Sequence, residues 1–368
     1  MRQQMSDPMQ DTGQCCDEHR AISAGQPAAL AAERPARPSR AGARRVAAGG
    51  LLALLVAWAG PVLAQGDSAS AYPTRAIRVV VGYAPGGATD LAARLIAQKL
   101  QEAWGQPVVI ENKPGAGSNI GSEQVARAAP DGYTLLMGTI ANATNMSMYR
   151  NLNYDTLRDF VPVTQVMSAP SVLVVAPAAP FGDLAGLIAA AKAKPGTLTF
   201  ASSGAGGSPH LAGELFKLRA GIDLTHVPYK GAAPALTDVV SGVVSMGFMT
   251  ALSAVPHMQS GRLKPIAVAA ERRLPQIPAV PTMAELGLKD FEVSSWSGLF
   301  APARTPPEIV AKLQREVARI LALPDIRDKF AAQGAEPVGS SPEQFRGYVR
   351  SEIDKWAQVV RASGARAD

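Results

Sequence analysis

The chain has 368 residues, 47% of them hydrophobic and only 18% charged, with a formal net charge of +6. That supplies two ordinary domains with real cores and excludes a disordered composition. The basic excess is mild and comes without a basic run or aromatic–basic interleaving, which argues against a nucleic-acid partner.

The first 64 residues differ from the rest. Residues 1–45 are polar and rich in Ala, Arg and Pro, and they end in Arg44-Arg45. Nineteen uncharged residues follow, Val46 to Ala64, closing on Gly60-Pro61-Val62-Leu63-Ala64. A basic n-region, an apolar h-region and a small-residue end predict a secretory signal peptide cut after Ala64, and hence an exported protein. An uncleaved anchor is the alternative, since such a run just spans a bilayer. Gly49-Gly50, Gly60-Pro61 and the Val-x-Ala ending argue for cleavage. The long n-region leaves the true start open, and Arg44-Arg45 raises a twin-arginine route. Removing 1–64 takes away seven of the 36 basic and five of the 30 acidic residues, leaving +4, and it removes both cysteines, Cys15 and Cys16. The mature chain then needs no disulfide or zinc–thiolate site, and no cysteine stands at the cleavage point to carry a lipid.

Beyond that segment, strand and helix patterns alternate. Strands are predicted at Ile77–Val81, Val108–Glu111, Thr134–Gly138, Val172–Ala176, Thr197–Ala201, Leu224–Val227 and Ile266–Ala269. Helices are predicted at Thr89–Ala103, Asn119–Ala129, Leu184–Lys194, Ser208–Arg219, Ala232–Ser241, Ser253–Gln259, Pro306–Leu323 and Pro342–Ala362. The alternation predicts an α/β fold of doubly wound, mostly parallel sheets. Thr305-Pro306-Pro307-Glu308 and Ser341-Pro342-Glu343-Gln344 each give a hydroxyl cap, a proline at the first helical position and Glu or Gln two residues on. Ser208-Pro209 has the same grammar. Two lobes are expected, 72–171 plus 292–368 and 172–291. The C-terminal helices lack a sheet of their own and return to pack on the first lobe, so two crossings make a hinge.

One short pattern occurs twice, as Gly86-Gly87-Ala88-Thr89-Asp90-Leu91-Ala92 and Gly206-Gly207-Ser208-Pro209-His210-Leu211-Ala212. Each copy follows a strand and opens a helix. A helix N-terminus carries unpaired N–H groups and a partial positive charge, so it is a ready anion site. Two such ends suggest a cleft that grips an anion from both sides. Glycines let a ligand approach the backbone, and Thr89 either caps its helix or donates its hydroxyl. A carboxylate beside an anion repels it, so Asp90 is expected to order the loop or hold a water. Ser203 and Ser208 offer hydroxyls, and His210 either donates to the anion or packs as a neutral ring. Thr139-Ile140-Ala141-Asn142 either adds hydroxyl and amide donors to the cleft or is an ordinary cap.

Pro114-Gly115-Ala116-Gly117-Ser118-Asn119-Ile120-Gly121 invites a dinucleotide reading, but the spacing is wrong and no ribose-binding acid follows. There is no G-x-S-x-G elbow, H-E-x-x-H, Walker loop or carboxylate cluster, and His210, His226 and His257 lack metal spacing. No enzyme activity, metal or cofactor is expected. A secreted hydrolase is the runner-up in principle only.

Ordered matches identify a family resemblance. They are Tyr72-Pro73, Pro85-Gly86-Gly87, Glu111-Asn112-Lys113-Pro114-Gly115-Ala116-Gly117, Pro130-Asp131-Gly132-Tyr133-Thr134-Leu135-Leu136 and Asp159-Phe160-Val161-Pro162-Val163. Pro195-Gly196, His210-Leu211-Ala212, Val227-Pro228-Tyr229-Lys230-Gly231, Pro281-Thr282 and Phe300-Ala301-Pro302 complete the run. From Tyr72 onward the chain resembles the tripartite tricarboxylate transporter substrate-binding proteins, the TctC or Bug family. The resemblance implies a periplasmic binding protein of the type II kind, with a ligand cleft between two lobes. Such a protein closes on a di- or tricarboxylate, an amino acid or an aromatic acid, and serves integral membrane transporter subunits or a sensor as a monomer. Ligand contacts map by resemblance onto Tyr83, Ala84, Gly86, Gly87, Thr89 and Asp90 on one wall, and onto Ser203, Gly207, Ser208 and His210 on the other, with Thr139 and Asn142 at the rim. Relatives often carry an acid where Met249 stands in Gly247-Phe248-Met249-Thr250, so an amine-bearing ligand lacks a partner here.

Overall fold

A computed structural model describes residues 71–367. The signal-peptide expectation and both cysteines fall outside that range. Ten strands are described: β1 (Ile77–Val81), β2 (Val108–Asn112), β3 (Thr134–Thr139), β4 (Phe160–Val175), β5 (Thr199–Ser202), β6 (Thr225–Pro228), β7 (Met246–Thr250), β8 (Lys264–Ala269), β9 (Ser294–Pro302) and β10 (Glu336–Pro337). The helices are α1 (Ala88–Trp104), α2 (Asn119–Ala126), α3 (Ile140–Met148), α4 (Leu184–Ala193), α5 (Ser208–Ala220), α6 (Ala232–Val240), α7 (Ala251–Gln259), α8 (Pro307–Leu321), α9 (Pro324–Ala332) and α10 (Pro342–Ser363).

The fold is α/β, and the long strand β4 is shared by two sheets. Its residues from Phe160 to Pro170 pair antiparallel with β9, within a sheet ordered β2-β1-β3-β9-β4-β10. From Ser171 to Val175 it pairs antiparallel with β7 and β8, and β7 continues in parallel to β5 and on to β6. The chain passes between the sheets at Pro170–Ser171 and again ahead of β9, where Ser171 N donates to Val293 O and Val293 N to Ala269 O.

The sheets are mixed rather than mostly parallel, because β4 pairs antiparallel with β7, β8, β9 and β10 and β9 with β3. The first half of β4 and all of β7, β9 and β10 lie outside the predicted strands. The first half of β4 carries Pro162 and Pro170, which usually demote a run to non-strand. Here Pro162 sits where the register slips, and Pro170 sits at the last pair before the chain changes sheet. The run β7, Met-Gly-Phe-Met-Thr, has no β-branched residue until its end, yet all five positions are buried. Strand β9 lies between β3 and β4, and its Gly298 pairs with Gly138. A β-carbon on Gly298 would meet the Phe345 ring, and one on Gly138 the Phe300 ring. Facing glycines thus leave room for two core rings.

Among the helix starts, Ser341 forms the expected capping box, accepting from Gln344 N (3.2 Å) while Gln344 Oε1 accepts from Ser341 N (2.9 Å). Thr305 does not cap α8; its hydroxyl donates to Pro302 O (2.8 Å). Ser208 is the first helical residue of α5 rather than its cap, which is Gly207. Helices α3 and α9 were not predicted. The C-terminal helices α8 and α10 pack on β4, and β10 adds a two-residue edge to it.

Candidate functional site

The two glycine turns adopt one geometry. Gly86 (φ 87°) and Gly206 (φ 77°) both lie in the left-handed region, where a β-carbon is strained. Gly87 (φ −85°, ψ 169°) and Gly207 (φ −72°, ψ 160°) are the extended N-cap residues of α1 and α5, and neither helix has a side-chain cap. Their first N–H groups are therefore left for something else to satisfy.

These ends face one cavity lined by Tyr83, Gly87, Ala88, Thr89, Asp90, Thr139, Ile140, Ser203, Gly207, Ser208, Ala232, Thr250 and Ser295. Its free volume is ≈ 30 Å³, about two ordered waters at roughly 10–15 Å³ each. Five helices begin at this wall: α1, α3, α5, α6 and α7. Only α3 is capped by its own side chains, with Thr139 Oγ1 accepting from Ala141 N (3.3 Å) and Asn142 Oδ1 from Thr139 N (2.9 Å). The starts of α6 (N-cap Gly231) and α7 (N-cap Thr250) have no side-chain cap. No Lys, Arg or His is in the lining. The field in the cavity comes from converging helix ends, which favour negative charge.

Asp90 is the one acid in the lining, and it is fully engaged. Its Oδ2 accepts from Gly86 N and Arg94 Nε (2.9 Å each), and its Oδ1 accepts from the Asn112 amide (2.9 Å). Burial alone would raise its pKa, but the Arg94 guanidinium, the Gly86 N–H and the Asn112 amide outweigh that and hold it below the usual carboxylate range. Its charge is spent on the loop. Tyr83 shares a hydrogen bond with Thr139 Oγ1 (2.9 Å), and burial pushes the phenol up to about 12, with the nearby hydroxyls of Thr139 and Ser118 pulling the other way. Thr89 Oγ1 accepts from Ser297 Oγ (3.3 Å).

Eight expected site residues are brought together: Tyr83, Gly87, Thr89, Asp90, Thr139, Ser203, Gly207 and Ser208. Four are not in the lining. Ala84 lies at the seam between the sheets, where its N–H donates to Lys230 O (2.8 Å). The Gly86 N–H is taken by Asp90. Asn142 is 1% exposed and divides its amide between Thr139 N and Ser122 Oγ. His210 is a packing ring: Nδ1 accepts from Gly206 N (3.2 Å), and the ring stacks on His226 at 4.0 Å, with Phe200 4.7 Å beyond. Burial lowers His210 to about 4, and burial with the neighbouring His210 ring lowers His226 to about 3, so both are neutral at pH 7.

Sequence reasoning missed Ala88, Ile140, Ala232, Thr250 and Ser295. Ala232 and Thr250 follow the carboxyl ends of β6 and β7, where ligands of open α/β sheets sit, but β7 was not recognised as a strand. Met249 is fully buried in the apolar core and does not line the cavity.

The description "Tripartite tricarboxylate transporter family receptor" fits residues 92–365. Protein BugT of Bordetella pertussis is 41% identical over 318 residues, covering 86% of this chain and 97% of that protein. Among solved structures, R. palustris Rpa4515 with adipate is 39% identical with a TM-score of 0.77, over 80% of this chain and 98% of that one. MatC from Rhodopseudomonas palustris with bound malate is 36% identical with a TM-score of 0.76, over 78% and 100%. The periplasmic binding protein BugD is 34% identical with a TM-score of 0.78, over 80% and 99%.

Proposed function

The chain belongs to the tripartite tricarboxylate transporter receptor family, and on that premise we propose that it is a periplasmic solute receptor that closes on a small carboxylate and delivers it to a membrane transporter. The observation that carries this reading is the convergence of five helix N-termini on one cavity without a basic side chain. Such a site holds a carboxylate through N–H groups, hydroxyls and helix dipoles, at low desolvation cost to the protein. The adipate and malate complexes of two relatives support the ligand class.

The binding motion is a hinge. Lobe 72–171 with 292–368 and lobe 172–291 rotate about the two inter-sheet crossings, and ligand contacts made only in the closed form shift the population toward it. The protein acts as a monomer without chemistry of its own, reaches the periplasm by a signal peptide cut near Ala64, and meets the integral subunits of its transporter there. A thermal-shift screen of residues 65–368 against mono-, di- and tricarboxylates, amino acids, sugars and cations tests the reading. Stabilisation by carboxylates is expected. Stabilisation by sugars or cations alone would overturn it.

A further inference from the structure

A second recess adjoins the cavity. It is lined in part by Gly82, Tyr83, Gly117, Ser118, Ser203 and Lys230, and its volume is ≈ 250 Å³. Tyr83 and Ser203 belong to both walls. We propose that this recess is a subsite for the far carboxylate of an elongated dicarboxylate, recognised by Ser118 and Lys230. The assignment rests on the carboxylate reading of the cavity and places the other end of the same ligand.

Three independent observations support it. The cavity has room for a carboxylate head and little more, so a longer carbon chain must leave it, and Tyr83 and Ser203 frame the way into the larger space. Ser118 is 2% exposed, and its hydroxyl, close to the Tyr83 phenol, makes no hydrogen bond of good geometry. A buried hydroxyl left unpaired is costly, and an arriving acceptor oxygen would satisfy it. Lys230 brings the opposite charge to the same recess and forms no ion pair among the described residues. Its backbone is pinned by the Ala84 N–H while its exposed side chain is free to reach inward.

The loop carrying Ser118 is held in an unusual shape. Ala116 (φ 46°), Gly117 (φ 61°) and Ser118 (φ 79°) are successive left-handed residues, and only one other non-glycine residue described, Asp290, shares that region. Strain of this kind persists where the surroundings over-determine it, commonly at binding sites. The recess also takes its walls from both sheets, so an occupant would be gripped by the same closure as the head.

Calorimetric titration of the full-length mature chain tests the assignment, with four- to eight-carbon α,ω-dicarboxylates compared against monocarboxylates of equal length. At the best length the dicarboxylate is expected to bind at least about tenfold more tightly. Lys230→Met and Ser118→Gly should each shrink that ratio, and the glycine also relieves the positive φ, so loss of folding does not confuse the result. Lys230→Glu should move preference from adipate toward 6-aminohexanoate, a reversal that a structural role would not produce. A wild-type ratio near one, or a ratio indifferent to all three substitutions, overturns the subsite while leaving the cavity intact. Failure of every carboxylate to bind the wild type overturns the cavity reading, and this one with it.

Discussion

Asp90 and His210, 120 positions apart, make the same bond: each accepts the N–H of the glycine four residues before it, Gly86 at 2.9 Å and Gly206 at 3.2 Å. One acceptor is an anion paired with Arg94, the other a neutral imidazole inside a ring stack. Different chemistry thus fixes the same left-handed turn ahead of α1 and of α5. Removing the acceptor from a buried pair costs about 1–3 kcal/mol, so Asp90→Leu and His210→Leu should each lower stability by that order. Hydrogen exchange should quicken at Gly86 or Gly206 respectively. Slow exchange at Gly206 in His210→Leu would show that the imidazole does not hold the turn.

The paired turns were legible in the sequence because everything that makes them is local: a strand, two glycines, a helix start. What His210 does was not, because it depends on Phe200 and His226, which reach it only through the pairing of β5 with β6. The ends of α6 and α7 escaped notice for a related reason. Thr250 faces the cavity only once the Met-rich β7 lies between β4 and β5, a consequence of long-range packing rather than of β-propensity.

Acid should loosen the second turn. His210 titrates near 4 and His226 near 3 in the folded protein, against about 6.5 when unfolded. Between those values the unfolded chain binds more protons, so folding stability is fully present above pH 6.5 and falls as the pH drops toward 4. The slope is about 1.4 kcal/mol per pH unit for each histidine. Urea unfolding at pH 7.5, 5.5 and 4.5 measures it, and His226→Phe should remove about half. An unchanged slope in that variant would mean that the stacked rings are not the titrating groups.

A buried polar contact joins the two sheets, and under the proposed hinge it would act as a latch. The Thr144 hydroxyl, on α3, donates to Gly206 O across the seam at 2.6 Å, and the site is buried. Thr144→Val keeps the shape and deletes this bond, worth about 1 kcal/mol, or roughly fivefold in affinity. The loss should appear as faster release of a bound dicarboxylate in stopped-flow measurements, with association unchanged. Faster release is the signature of a weakened closed state, and slowed association with normal release would place Thr144 outside the latch.

The C-terminal helix is fastened by one carboxylate. Glu352 on α10, 6% exposed, accepts from the indole N–H groups of Trp296 (3.1 Å) and Trp356 (3.0 Å) through the same Oε2. Trp296 stands on β9, whose neighbour Ser295 lines the cavity, so the helix braces a strand of the site. Glu352→Ala strands two buried donors and should cost about 2–4 kcal/mol. Glu352→Gln keeps an acceptor oxygen and should recover at least half of that, since a neutral amide carbonyl still meets an indole N–H. The recovery separates hydrogen bonding from charge: equal losses in the two variants would mean that the carboxylate's charge, and not its acceptor geometry, holds α10 to β9. Denaturant unfolding followed by tryptophan emission reads the difference, because two of the chain's four tryptophans are the rings of the contact.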